Sequence, residues 1–290
     1  MSPSDPVPSN LVTVGTIVAA MVVVALVEVA IPLRRRDRWS SAHLTPNLTL
    51  TAITFATNAV FNAALVAVLF RLQADRLGIL PLLGLPALPA AALAVIVLDL
   101  SFYVAHVAMH HSATLWRFHR VHHADPMVDV TTTIRQHPGE GVIRYGFLAA
   151  FAIALGVPPA AFAVYRIWSV LNGLLEHANI RVPRRLDRAL ALVLVSPNMH
   201  KVHHSRVPSE TDTNFGNLFS VFDRLFRTFT PTARGERIAY GLDGCDDPSA
   251  QTALALLAWP FRVAAPFVEM AGETHPTLRG TQGRACDGRT

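Results

Sequence analysis

The sequence predicts an all-α integral membrane protein with about three spanning helices, a helical hairpin and a histidine-rich helical cap on the cytosolic side. Three observations carry this expectation. The 290 residues are 51% hydrophobic and only 16% charged, against roughly 25% charged in an ordinary soluble domain. The charges avoid long windows such as 11–33 and 78–98, which are long enough to cross a hydrocarbon core of about 30 Å. Most of the 13 histidines gather in one HxxxH, two copies of HxxHH and one isolated position.

Leu11–Leu33 reads as the first span, interrupted only by Glu28. Residues 1–10 hold no Lys or Arg, and the apolar run exceeds a signal-peptide core, so it is expected to anchor the chain. It stops at Arg34-Arg35-Arg36-Asp37-Arg38, which marks the cytosolic side because arginines abutting a span set its orientation. A nucleic-acid or lipid-headgroup patch is the less favoured reading of that run. The net charge is +5 and no Lys/Arg tract interleaves with aromatics, so no nucleic-acid partner is expected.

Leu48–Phe70 returns across the membrane, with Asn58 and Asn62 four apart and expected to face neighbouring helices. Residues 71–86, with Pro81 and Pro86, form an outer connection. A third span from about Leu88 runs through Asp99 and Tyr103 into His106. Residues 142–176 are apolar but broken by Pro158-Pro159, which predicts a hairpin of helices 142–156 and 160–176 that dips into the membrane and returns. Residues 178–188 read as a cytosolic loop, and Ala189–Val195 is too short to span. Thr252–Met270 is expected as an interfacial helix rather than a span, and 271–290 as a disordered polar tail. The domains are then 1–105 for the transmembrane helices, 106–250 for the histidine-box region and 251–290 for the interfacial helix and tail. Cys245 and Cys286 have neither metal spacing nor a disulfide framework and read as free thiols.

The histidines carry the chemistry. His106 and His110 form HxxxH; His119, His122 and His123 form the first HxxHH; His200, His203 and His204 form the second; His177 stands alone. Residues three or four apart share a helix face, so each cluster aims two or three imidazoles at one volume. One tetrahedral metal needs about four ligands, so eight or nine convergent imidazoles imply two metals. Asp99, Tyr103, His106 and His110 fall on one helical face. Asp99 is expected either to accept the N–H of a ligating imidazole or to be a solvated helix-end carboxylate. His137, in His137-Pro-Gly-Glu, is expected near the site or as a loop residue. His43, His111 and His275 are expected to be solvated. No GxGxxG turn, cysteine quartet or G-x-S-x-G elbow accompanies these boxes, so any electrons come from outside the chain.

Leu115-Trp116-Arg117-Phe118-His119-Arg120-Val121-His122-His123 and Ser196-Pro197-Asn198-Met199-His200-Lys201-Val202-His203-His204, followed by Asp212-Thr213-Asn214-Phe215-Gly216 and Phe222-Asp223-Arg224-Leu225-Phe226, resemble the fatty acid hydroxylase (sterol desaturase) superfamily. The later stretch is most similar to its alkylglycerol monooxygenase branch. The resemblance covers about 95–230. It implies a membrane-bound non-haem di-iron oxygenase with the nine histidines as ligands, His177 matching the isolated one, and Asp212 and Asn214 near them. It further implies O₂ as co-substrate, a lipid substrate within the membrane, hydroxylation in preference to desaturation, and a separate donor such as cytochrome b5, a ferredoxin or a reductase. Zinc is a possible substitute on purification. The expected location is an inner, bacterial membrane. The competing reading is a zinc membrane protein with a hydrolytic or non-catalytic role, against which nine histidines are more than a three-ligand zinc site needs.

Overall fold

The computed structural model describes residues 10–35 and 40–262. Among them the regular structure is helical, and β pairing is limited to isolated bridges. Helices α1 (Asn10–Ala30), α2 (Ser41–Ala74), the short α3 (Ile79–Leu83) and α4 (Ala87–His111) supply three stretches long and apolar enough to cross a membrane. Leu11, Val22, Val23 and Leu26 of α1 are exposed, as a lipid-facing surface requires. Glu28, the interruption in the first span, is buried and accepts the backbone N–H groups of Val130 (2.8 Å) and Asn179 (2.7 Å). It fastens the end of α1 to the cap.

α2 begins earlier than the expected span. Ser40 caps it, its side chain accepting the His43 N–H at 3.3 Å. His43 is therefore not solvated, as expected from its polar neighbourhood, but buried: Nε2 lies 2.9 Å from Asp129 and Nδ1 3.4 Å from Asp125. The polar residues around it fold inward and satisfy one another, since a buried polar group needs a partner.

α4 continues unbroken to His111, and Ser112 caps the next helix, α5 (Ala113–His123), through the Leu115 N–H. The hairpin is α6 (Pro138–Leu155) and α7 (Pro159–His177). At about 1.5 Å per residue each arm is roughly 27–29 Å long. Its tip meets the outer connection: Gly156 and Gly78, both at positive φ, approach so closely that a Cβ on Gly156 would lie 2.2 Å from Leu77 O. The hairpin thus reaches the depth of the helix ends farthest from the histidines, and it packs on α1, α2 and α4. Leu98, Leu148, Ala152, Phe162 and Leu69 form the core between these helices.

The cap contains α8 (Arg184–Leu190), α9 (Pro197–His203), α10 (Pro208–Thr211), α11 (Val221–Leu225) and α12 (Ala253–Ala258). The apolar stretch 189–195 ends α8 and pairs Leu194 with Phe219 in an isolated bridge. Of the expected interfacial helix, the described residues hold α12 and a 3-10 turn at Trp259–Phe261; α12 packs on α2, and Leu256 and Trp259 are buried. Residues 263–270, the tail 271–290 with His275, and Arg36 and Arg38 lie outside the described residues. Cys245 is buried and disulfide-bonded rather than a free thiol; Cys286 lies outside the described residues.

Candidate metal centre

Each histidine box sits at the end of a helix. His106 and His110 close α4, the first HxxHH closes α5, His177 is the last residue of α7, and the second HxxHH closes α9 with His204 as C-cap. Four chain segments therefore end at one place. All nine imidazoles are buried and fall into two groups, His106, His110, His119, His123 and His203 in one, and His122, His177, His200 and His204 in the other, with the ligand atoms of each group within 4.8 Å of one another. Each HxxHH is shared. Its i and i+4 members join one group and its i+3 member the other, because residues four apart point more nearly together than residues three apart.

The tautomers follow from the outward hydrogen bonds. His106 Nδ1 donates to Phe215 O (2.8 Å), His203 Nδ1 to Thr213 O (2.8 Å) and His177 Nδ1 to Gly173 O (2.8 Å). A carbonyl oxygen only accepts, so each Nδ1 carries the proton and each Nε2 presents a lone pair. His119 Nδ1 donates to Glu140 (3.0 Å), which also takes Arg144 Nε (2.8 Å), and His110 Nδ1 donates to Asp212 (3.1 Å). Burial holds the imidazoles of His119, His122, His123, His200 and His204 below their ordinary range, reinforced at the last four by neighbouring imidazoles, and pushes His203 down to about 3. They are neutral at pH 7.

These lone pairs face one another. His106 Nε2 lies 3.0 Å from His119 Nε2, and His177 Nε2 lies 3.1 Å from His122 Nε2, 3.0 Å from His200 Nε2 and 3.1 Å from His204 Nε2. Two acceptors that close, buried and neutral, repel unless a cation lies between them. The spacing suits nitrogen ligands held at about 2.0–2.1 Å from a transition metal. Neutral imidazole is the donor that zinc, copper, iron and nickel take, so the residues fit two such ions.

The residues expected around the histidines divide. Asp212 bonds His110. Asp99 touches no imidazole and is not solvated; buried, it accepts the N–H groups of Leu218 (3.0 Å) and Phe219 (2.9 Å). It pins the loop whose Phe215 carbonyl orients His106. Asn214, at φ 57, makes the left-handed turn in that loop and accepts the Thr230 N–H at 2.8 Å. Tyr103 bonds Thr228 (2.8 Å) and stacks on Phe226, away from the histidines despite sharing their helical face. His137 caps α6 through the Gly139 N–H (2.9 Å) and donates to Leu257 O (3.1 Å), so it holds α12 rather than the site. His111 is exposed.

Glu140 is a site residue that the histidine spacing does not reveal; its signal is a carboxylate in the first turn of an apolar helix. Nor does that spacing reveal Glu176, buried beside His177 with its Oε2 3.7 Å from His200 Nδ1, or Asp223, which accepts the N–H groups of Phe215 and Gly216 (2.8 and 2.9 Å). Burial raises the Asp223 carboxyl to about 6.

A cavity of about 170 Å³ opens from the histidines into the helix bundle between α1, α2, α4, α6 and α7. His122, His177 and His200 of the four-histidine group line it, but only His106 of the five-histidine group does. Ile17, Phe55, Phe102 and Leu148 make its apolar wall.

Residues 91–228, which include all nine histidines, match the family model for fatty acid hydroxylase. Alkylglycerol monooxygenase of Caenorhabditis elegans is 31% identical over 148 residues, 50% of this chain and 28% of that protein. The human alkylglycerol monooxygenase is 29% identical over 144 residues, 50% of this chain and 31% of that protein. Ornithine lipid hydroxylase OlsE of Rhizobium tropici is 30% identical over 169 residues, 58% of this chain and 49% of that protein. The chain thus spans less than half the length of each of these relatives. No solved structure matches it.

Proposed function

We propose that this chain, whose residues 91–228 match the family model for fatty acid hydroxylase, is a membrane-bound, non-haem di-iron oxygenase that hydroxylates a lipid with O₂ and electrons from a separate donor. The observation that carries this reading is the pair of clusters, five and four buried imidazoles, at the mouth of a cavity inside an apolar bundle. His106, His110, His119, His123 and His203 would hold one iron; His122, His177, His200 and His204 would hold the other. When bound, the irons supply the redox activation of O₂, which no side chain of the protein provides.

The protein's part is placement. α1, α2, α4, α6 and α7 wall the cavity from water, so a lipid reaches the histidines without leaving the bilayer. Phe102 and Leu148 hold its chain laterally, and His122, His177 and His200 face the presented carbon. Small misplacements of that carbon are costly, so the wall sets which carbon reacts. Hydroxylation is preferred over desaturation because alkylglycerol monooxygenase and ornithine lipid hydroxylase are among the relatives matched over this region. The arginines after α1 support a cytosolic histidine side, with residues 71–86 opposite.

The test is lipid analysis of cells expressing wild type or His203→Ala under ¹⁸O₂, beside the metal content of the purified protein. A labelled hydroxyl that depends on His203 is the expected result. A new double bond without label would redirect the reading to desaturation. Zinc alone, with turnover that iron does not restore, would replace it with the zinc protein.

A further inference from the structure

Halfway along the hairpin the cavity wall turns polar. Arg166 lies in α7 seven residues after Pro159 and eleven before His177, about 16 Å from the latter along the helix axis. It is half-buried and lines the cavity. A guanidinium at membrane mid-depth is unfavourable unless it is paired or solvated. Among the described residues Arg166 forms no ion pair; its partner is the ring face of Tyr145, with Cζ 5.0 Å from the ring centroid. The Tyr145 hydroxyl and Asn58 Oδ1 are buried without hydrogen-bond partners, and both residues line the same cavity. Asn58 sits against Gly141, one turn of α6 before Tyr145. A cation, a phenol and an amide are therefore gathered inside an apolar bundle, each with bonding capacity left over.

Hydrocarbon would leave these groups unsatisfied, and buried polar groups in native proteins are satisfied. Arg144, the nearby cation, is already neutralised by Glu140, so Arg166 is the charge available to a ligand. We infer that the cavity is a receptor for an acidic lipid, with Arg166 and Tyr145 taking its carboxylate or phosphate and its chain running toward His122, His177 and His200. The spacing between Arg166 and the histidines then acts as a ruler that selects the carbon presented to them. Only the chemistry at the histidine end rests on the oxygenase reading; recognition of the acid does not.

The experiment uses the full chain, loaded with iron, in nanodiscs of phosphatidylcholine. Affinities are measured for hexadecanoic acid, its methyl ester, hexadecyl phosphate and hexadecanol, and oxidation of each is followed separately. The expected result is binding of an acid at least about tenfold tighter than its neutral counterpart, the scale of one charge-assisted hydrogen bond. Arg166→Gln should abolish that preference with metal content unchanged. Arg166→Lys should keep part of it, since the point charge remains but the fork is lost, and Tyr145→Phe should reduce it about threefold. The stronger of the two acids identifies the group as carboxylate or phosphate. Equal affinities for acid and neutral lipid in the wild type would overturn the inference, as would an unchanged preference in Arg166→Gln. Should that variant lose its metal, an unchanged preference in both Arg166→Lys and Tyr145→Phe would overturn it instead. Selective binding without oxidation would sink the oxygenase reading and leave the receptor standing, whereas oxidation without selectivity would do the reverse.

Discussion

The two histidine clusters are made from the same boxes yet are held differently. In the five-histidine cluster four rings are oriented by outward hydrogen bonds: His106 to Phe215 O, His110 to Asp212, His119 to Glu140 and His203 to Thr213 O. In the four-histidine cluster, among the described residues, only His177 has such a partner, Gly173 O of its own helix. The Nδ1 atoms of His122, His200 and His204 are buried without one. The rigid cluster faces the protein and the loosely oriented one faces the cavity. Orienting partners fix the tautomer and raise ligand basicity, so they belong where an ion is to be held. A cluster with fewer ligands and a cavity beside it is where a substrate is met.

The largest effect that would sharpen this contrast comes from deleting a ligand on each side. His122→Ala leaves three imidazoles in its cluster and is expected to lose one of two metals and more than about 100-fold in turnover. His110→Ala leaves four and should keep both metals with a smaller loss. Elemental analysis beside oxygen consumption reads both, and full activity in His122→Ala would remove the basis of the ligand assignment. Next comes metal removal. Dialysis against a chelator should release metal in two phases, the four-histidine ion leaving first at an affinity roughly 10–100-fold weaker, the scale of outer-partner effects; a single phase would break the comparison.

Glu140→Gln should then narrow the gap by weakening the five-histidine ion about tenfold or more. Asp212→Asn should do less, because its side chain is partly exposed while Glu140 is fully buried. Acid acts on both clusters in the metal-free protein. The imidazoles on α5 and α9 have depressed values in the fold, whereas in the unfolded chain they protonate below about 6.5. Stability is therefore present above that pH and lost as pH falls below it, with a slope steeper than one proton, and bound metal should suppress the loss. The smallest effect is Tyr103→Phe. It removes one hydrogen bond to Thr228, worth about 1 kcal/mol, and should leave metal content unchanged.

Much of this protein was legible because membrane burial and helical spacing are written locally. The apolar runs located α1, α2 and α4, the proline pair located the hairpin break, and the histidine spacings named eight of the nine imidazoles that converge, with His177 supplied by the family resemblance. The departures share one cause. His43 looked like a polar-loop residue, yet Asp125 and Asp129, more than eighty residues away, bury it. Asp99 and Tyr103 share a helical face with His106 and His110 but serve the 214–228 loop, because a helix face is wide enough to meet two different neighbours.

By itself the sequence determined a helical membrane protein with eight histidines in three spaced boxes, since hydrophobic length and residue spacing act within a single segment. Only the tertiary structure decided the five-and-four partition, the service of Glu140 to His119, the full depth of the hairpin and the meeting of Arg166 with Tyr145 inside the cavity. Each depends on how separate helices rotate and pack against one another, and that geometry is set by contacts between segments distant in the chain.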